Sequence, residues 1–377
     1  MKERVWLGGC PDYDPARLFA RVDQAFEALH VYDQLKSGMT VVLKPNLVMA
    51  SKPKEAIITH PALTAAVGKC VRKAGAKVLI AESPGGPYTP ALIKRHYGAC
   101  GYQAMAEELG FALYTDCKSR EVSLPQGERC RRVSLIEPFL DGDFLINLPK
   151  LKTHGMVGYS GAVKNLFGAV PGLQKPELHC RFPEKEDFSR MLVDICAFLE
   201  PDLSILDGIW AMEGDGPTGG SRRQLGALAA SASPYALDVC GAALTGSGAG
   251  KILTLKLAGE RGLGPSFLDE VEVLGEPIEA YAVKDFLPAK ASSTDFIDRL
   301  PAFLRPAAKK LATPYPKIDG KACVGCGKCA QSCPQHTIRI VGGRARVDLK
   351  NCIRCFCCHE MCPKHVVKVR RLRMFDL

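Results

Sequence analysis

Residues 143–154 read DFLINLPKLKTH. The first half is apolar, and the second half carries Lys150, Lys152 and His154. A short apolar run that stops at a proline reads as a buried strand. Cations directly behind it read as groups delivered to the strand's carboxyl end. The pattern recurs outward along the chain. TVVLK (40–44) is followed by Pro45 and Asn46, and KVLIA (77–81) by Glu82 and a Ser-Pro-Gly-Gly turn. LSIL (203–206) is followed by Asp207 and Gly208, then by MEGDGPTGG with Glu213 and Asp215. Helical patterns stand at 60–74, 188–199 and 234–244, and further strand candidates at 225–230 and 271–274. Strands alternating with helices predict an α/β fold with a largely parallel sheet. Ligands of such sheets bind at the carboxyl ends of the strands.

The segment 148–172, LPKLKTHGMVGYSGAVKNLFGAVPG, sharpens that expectation. It holds Lys150, Lys152, His154 and Lys164, and no acid occurs from 144 to 176. Its glycines permit close approach of backbone to a ligand. Ser160 is expected to cap a helix through 163–167, whose free N–H groups would favour an anion. The combination predicts a site for a carboxylate or phosphate group. Lysines beside apolar strands are more often solvated, but the glycine density and the missing acids favour a site. His154 suits proton transfer, because imidazole titrates near neutrality. His154, His179, Glu213 and Asp215 show no metal-ligand spacing. TGSGAGKI (245–252) departs from a phosphate loop, and no G-x-G-x-x-G follows a strand, so neither ATP nor a nicotinamide is indicated.

The chain has 377 residues, enough for two domains. Nine of its 17 cysteines fall between 323 and 362. They form CVGCGKCAQSCP and CIRCFCCHEMCP, each a complete C-x-x-C-x-x-C-x-x-x-C-P motif. Two such motifs predict two [4Fe–4S] clusters, the last cysteine of each serving the other cluster. Cys323, Cys326, Cys329 and Cys362 would hold one, and Cys352, Cys355, Cys358 and Cys333 the other. Zinc sites use pairs of C-x-x-C instead. Cys357 fits no ligand slot and reads as a packed thiol. Short strands at 337–341 and 344–347 suit a ferredoxin-like α+β module. Residues 317–377 contain 13 of the 50 basic and 4 of the 40 acidic residues. Anionic cubes explain part of that excess, with Lys328, Arg354 and Lys364 close by, so no nucleic acid is expected. KVRRLRMF (368–375) reads as a solvated end more than as a dock for an acidic donor. The expected layout is an α/β domain over 1–290, a proline-broken linker over 291–316 and the cluster module over 317–377. No internal repeat is evident. No stretch of 18 apolar residues appears, so no membrane insertion is expected, and the location reads as cytoplasmic.

VVLKPN, THP, VLIAESPGG, INLPKLKTHGMVGYSGAVKNLFGAVPG, His179 and DGIWAMEGDGPTGG together resemble the family called domain of unknown function 362. The resemblance covers most of residues 1–285, and members are similar in carrying a two-cluster ferredoxin module. It implies an iron–sulfur protein of an anaerobic setting, and names no substrate. The family pattern carries over to Lys44, Asn46, Glu82, Lys150, Lys152, His154, Lys164, Asn165, His179 and Glu213. The functional expectation is a reductase that passes low-potential electrons from a partner protein through the clusters to an anionic small molecule or cofactor. Lys150, Lys152 and Lys164 would hold the anion, and His154 or Glu213 would supply the proton. A further, unidentified organic cofactor in the large domain would ease a two-electron step. The alternatives are an electron-transfer or cofactor-assembly protein without turnover and, more weakly, structural clusters beside non-redox chemistry.

Overall fold

The computed structural model describes residues 2–289, 303 and 313–370. Most of the expected linker helix and the tail 371–375 lie outside the described residues. Ten strands form the main sheet. They belong to a series of β1 (Glu3–Gly9), β2 (Thr40–Pro45), β3 (Lys77–Ile80), β4 (Ala112–Leu113), β5 (Ser119–Ser123), β6 (Arg132–Ile136), β7 (Phe144–Leu148), β8 (Lys150–His154), β9 (Gly158–Ser160), β10 (Leu203–Glu213), β11 (Ser221–Ser231) and β12 (Val271–Gly275). The order across the sheet is β12-β1-β11-β10-β7-β2-β3-β4, with β8 on β10 and β9 on β8, while β5 and β6 form a separate hairpin. β7, β2, β3 and β4 pair in parallel, and β11 runs antiparallel to both its neighbours. The fold is therefore α/β with a largely parallel sheet.

Alternation explains why the central strands are apolar on both faces. Val42 and Leu145 pack into one core, whereas Val41, Leu43 and Ile146 pack into the other. The helices Pro15–Ala28 and Pro61–Lys73 cover one face, and Lys185–Leu199 and Pro234–Leu244 the other. Burial of both faces is what a parallel sheet requires.

Three local expectations change. LSIL is only the start of β10, which runs on to Glu213 because β11 pairs along its length past an irregularity between Gly208 and Trp210. Lys150, Lys152 and His154 do not leave the sheet as a loop. They form β8, beside β10, with Asp207 opposite Lys150 and Met212 opposite Lys152. Ser160 ends β9 and caps nothing: the short helix Ala162–Asn165 begins at Gly161, and its first N–H groups point at Asp238.

The cysteine module has two ribbons, β13 (Tyr315–Ile318) with β16 (Val367–Arg370) and β14 (Ile338–Val341) with β15 (Arg344–Val347). Its halves repeat. Gly325 and Arg354, Gly327 and Phe356, and His336 and His365 are each 29 residues apart and all have positive φ. The cysteine loops thus adopt one backbone shape twice, and outside the cysteines the repeat shows in sequence at the matched Pro334/Pro363 and His336/His365.

Candidate functional site

The cysteines divide into two groups in space. Cys323, Cys326, Cys329 and Cys362 surround one cavity, and Cys333, Cys352, Cys355 and Cys358 surround another. Four thiols around a void, with apolar walls from Ile318, Ala345 and Val367 in one and Ile338, Val347 and Phe356 in the other, fit a cube held by four thiolates. Backbone N–H groups already face three sulfurs: Ala345 donates to Cys323 (3.3 Å), Thr337 to Cys333 (3.4 Å) and Arg354 to Cys352 (3.4 Å). Cys357 belongs to neither group.

A third cavity, of about 80 Å³, lies between the module and the sheet domain. Asn46, Glu82, Lys164, Asn165, Lys175 and His179 line it from the sheet domain. Ser332, Cys357, Glu360 and Met361 close it from the module. The strand ends β2 and β3 supply Asn46 and Glu82, as the carboxyl-end rule requires.

Most charges around this cavity are already matched. Lys44 and Glu82 form a fully buried ion pair at 2.6 Å. Gly168 packs onto that pair, and a Cβ there would collide with Glu82 Oε1 and Lys44 Nζ unless the pair shifted. Lys152 Nζ donates to Asn46 Oδ1 (2.7 Å) and to the Ile57 carbonyl (2.8 Å). Asn46 donates to Asn165 (2.9 Å), which donates to Asn147 (2.8 Å). Lys175 is spent on the carbonyls of Ser83 (2.6 Å) and Val170 (2.5 Å). Burial pushes both Lys152 and Lys175 down to about 7.

Lys164 differs. Its Nζ lies 4.9 Å from the Phe167 ring centroid, and among the described residues it has no ion-pair or hydrogen-bond partner. Burial lowers its pKa, and Glu360 works against that. His179 stacks on Phe188 (centroids 4.3 Å apart) with a buried Nδ1 that meets no hydrogen-bond partner, and burial holds it neutral, down to about 3. His154 Nδ1 accepts from the N–H groups of Met156 (3.2 Å) and Val157 (3.4 Å). Its proton therefore sits on Nε2, which stands 3.1 Å from Glu360 Oε1. That is a close approach and not an aligned hydrogen bond. Burial pushes His154 down to about 4. Burial alone would raise Glu360, but the facing His154 N–H and the Lys164 charge outweigh it and lower its pKa.

The structure separates two other expected residues from this group. Lys150 turns to Asp207 (3.0 Å) and the Tyr13 hydroxyl (2.8 Å), and Tyr13 in turn stacks on His60. Glu213 ends β10 and accepts from the Leu287 N–H (3.1 Å), away from the cavity. The anion expected at the helix start is Asp238 itself, which accepts from Ala162 (2.5 Å) and Val163 (3.1 Å).

Sequence reading missed Asp238, Lys175 and Glu360, placed Asp207 at a strand end without its lysine partner, and read Cys357 as a packed thiol without its place at the cavity. One signal did exist for Glu360: it is the lone acid between 349 and 375, in a strongly basic module. His359 beside it fixes the junction. Its Nδ1 lies 2.6 Å from the Val367 carbonyl and its Nε2 3.1 Å from that of Asp215.

The fold and site define a class: an α/β sheet domain that shares a cavity with a ferredoxin-like iron–sulfur module. Residues 41–243 match the family described as domain of unknown function (DUF362), and residues 315–363 match the 4Fe-4S dicluster domain. The chain belongs to the DUF362 family. It is 32% identical over 311 residues to a thylakoid-associated protein of Synechocystis sp., covering 82% of this chain and 94% of that one. The lactate racemase apoprotein from Thermoanaerobacterium thermosaccharolyticum is similar at a TM-score of 0.39 and 14% identity, over 62% of this chain and 55% of that one. A protein from Thermotoga maritima is similar at a TM-score of 0.33 and 10% identity, over 54% and 52%. The chain spans about half the length of these two solved proteins, and likeness at this level bears on neither activity nor ligand. The dicluster match supports iron–sulfur clusters and electron transfer. No helix of the described residues is long and apolar enough to cross a membrane.

Proposed function

We propose that the protein is an iron–sulfur reductase, in which electrons from two [4Fe–4S] clusters reach a small anionic molecule bound between the module and the sheet domain. The make-up of the shared cavity carries this proposal. Lys164 faces it without an anionic partner, and Cys357, Glu360 and Met361 stand between the cluster ligands Cys355, Cys358 and Cys362. A bound cluster supplies electrons singly.

The chain's own residues supply the rest. Lys164 offsets negative charge on the ligand before and during its reduction, in a site sheltered from water. Asn46 and Asn165 are held in place by Lys152 and Asn147, and so present fixed dipoles. His154 keeps a proton on Nε2, and His179 offers an unmatched Nδ1 for orientation. In balance, the bound molecule takes up two electrons and two protons, and a low-potential one-electron donor protein is oxidised twice. The setting would be anaerobic.

Native mass spectrometry of protein purified without oxygen tests this. Mass beyond the chain and its clusters, lost in Lys164→Met, supports a ligand at this cavity. Equal masses in both proteins, together with reduced protein that reoxidises no faster when small anions from a cell extract are added, would leave a carrier or assembly role as the better account.

A further inference from the structure

Cys326 is the one exposed thiol among the eight assigned to the clusters, and Cys323 beside it is partly exposed. In the other group Cys333, Cys355 and Cys358 are buried and Cys352 is partly exposed, and that group adjoins Ser332 and Cys357 of the shared cavity. The group that holds Cys326 is thus the more exposed of the two.

The surface around Cys326 is unusual. The hairpin β14–β15 packs its Gly342–Gly343 turn against Gly325, where a Cβ would collide with the Gly343 carbonyl. Ala345 turns inward, and its N–H donates to Cys323. Arg344 and Arg346 flank it and are exposed, as is Arg339. Arg339 stands directly opposite Arg346, and Val341 opposite Arg344. Residues 338–347 contain no acid, and among the described residues none of the three arginines is in an ion pair. Like charges facing each other across a ribbon destabilise it. Local stability thus does not explain this face. Val341 and Val324 are 50% and 60% exposed beside it.

We infer that the outer face of the β14–β15 hairpin, next to Cys326, is the docking surface for an acidic one-electron carrier protein. Guanidinium groups match carboxylates in paired hydrogen bonds, and the complementary charge steers encounter. The exposed apolar side chains here are Val324, Ile340 and Val341, with no aromatic group to anchor in a lipid surface. The docked carrier would sit beside the more exposed cysteine group, and electrons would move inward from there. The inference rests on the iron–sulfur assignment and not on any substrate.

The test is binding, measured anaerobically by calorimetry with an oxidised, acidic plant-type [2Fe–2S] ferredoxin as probe. Iron content and the cluster EPR signal are recorded on every preparation, so that loss of clusters is seen separately. Arg344→Glu with Arg346→Glu should weaken binding by about tenfold or more, and added salt should weaken the wild type towards the variant. The Arg346→Glu change places a carboxylate opposite Arg339, so the hairpin should be no less stable, and thermal unfolding checks this. Lys256→Glu, an exposed reversal on the sheet domain, should leave binding unchanged. Binding that is insensitive to both the double reversal and salt would overturn the inference. So would absence of binding to ferredoxin alongside tight binding to phosphatidylglycerol vesicles.

Discussion

Glu360 Oε1 stands 3.1 Å from His154 Nε2, across the junction of the module and the sheet domain. Glu360 lies between Cys358 and Cys362, so one residue ties the cysteine loops to the strand β8. Its carboxylate also favours the charged form of Lys164, although the two form no ion pair. Glu360→Gln keeps the shape and removes the charge. It takes the charge away from the facing His154 N–H and from Lys164, and leaving such buried groups less satisfied costs about 1 to 3 kcal/mol. Equilibrium urea unfolding should show that loss, and limited proteolysis should show faster cleavage at the junction. Unchanged stability would mean that the carboxylate is not needed for docking.

Lys44 and Glu82 give a sharper case, because both are fully buried. Lys44→Met should lose about 3 to 5 kcal/mol by stranding the Glu82 charge. Lys44→Met combined with Glu82→Met should recover a large part of it, since two apolar groups strand nothing. The urea midpoints of the single and double variants decide the matter. A double variant as unstable as the single would show that the residues around Gly168 need the charges themselves.

How much of this was legible in the sequence depends on separation along the chain. The strands 40–44, 77–81 and 143–148 declared themselves through continuous apolar runs. Polar residues at their ends, Asn46 and Glu82, followed from the sheet rule. β8 was hidden, because Lys150 and Lys152 read as groups facing a ligand beyond the strand end, and the partners that bury them, Asp207 and the Asn46 side-chain amide oxygen, lie far off in sequence. Asp238 was hidden for the same reason, 76 residues from the N–H group it satisfies. Glu360 belongs to a site built by two domains meeting, and neither domain's local pattern contains that geometry.

His179 makes pH a probe of burial. Burial holds it down to about 3 in the folded protein, against an ordinary value near 6.5. The unfolded chain therefore binds a proton that the folded chain refuses between these values. Stability contributed by neutral His179 is complete above about pH 6.5 and is lost as pH falls, by up to about 1.4 kcal/mol per unit. His179→Phe keeps the stack on Phe188 and removes the titration. The difference in urea midpoint between wild type and variant should be flat above pH 7 and move in the variant's favour from pH 6 to 4.5. A pH-independent difference would mean that the ring is not buried as described.

The cysteine groups make opposite predictions for neighbouring thiols. Cys357 sits one residue from Cys358 and two from Cys355, yet lines the shared cavity and not either cluster void. Cys357→Ala should therefore leave the iron content at about eight per chain, the number two cubes hold. Cys326→Ser and Cys355→Ser remove a ligand from different groups. Each should lower iron to about four and leave one cube signal by EPR. The two remaining signals should differ, because Cys326 is exposed and Cys355 is buried, and exposure changes a cluster's potential. Reductive titration of the two variants reads that difference directly. If Cys357→Ala loses iron as Cys326→Ser does, then Cys357 is a ligand and the assignment of Cys355 or Cys358 must change.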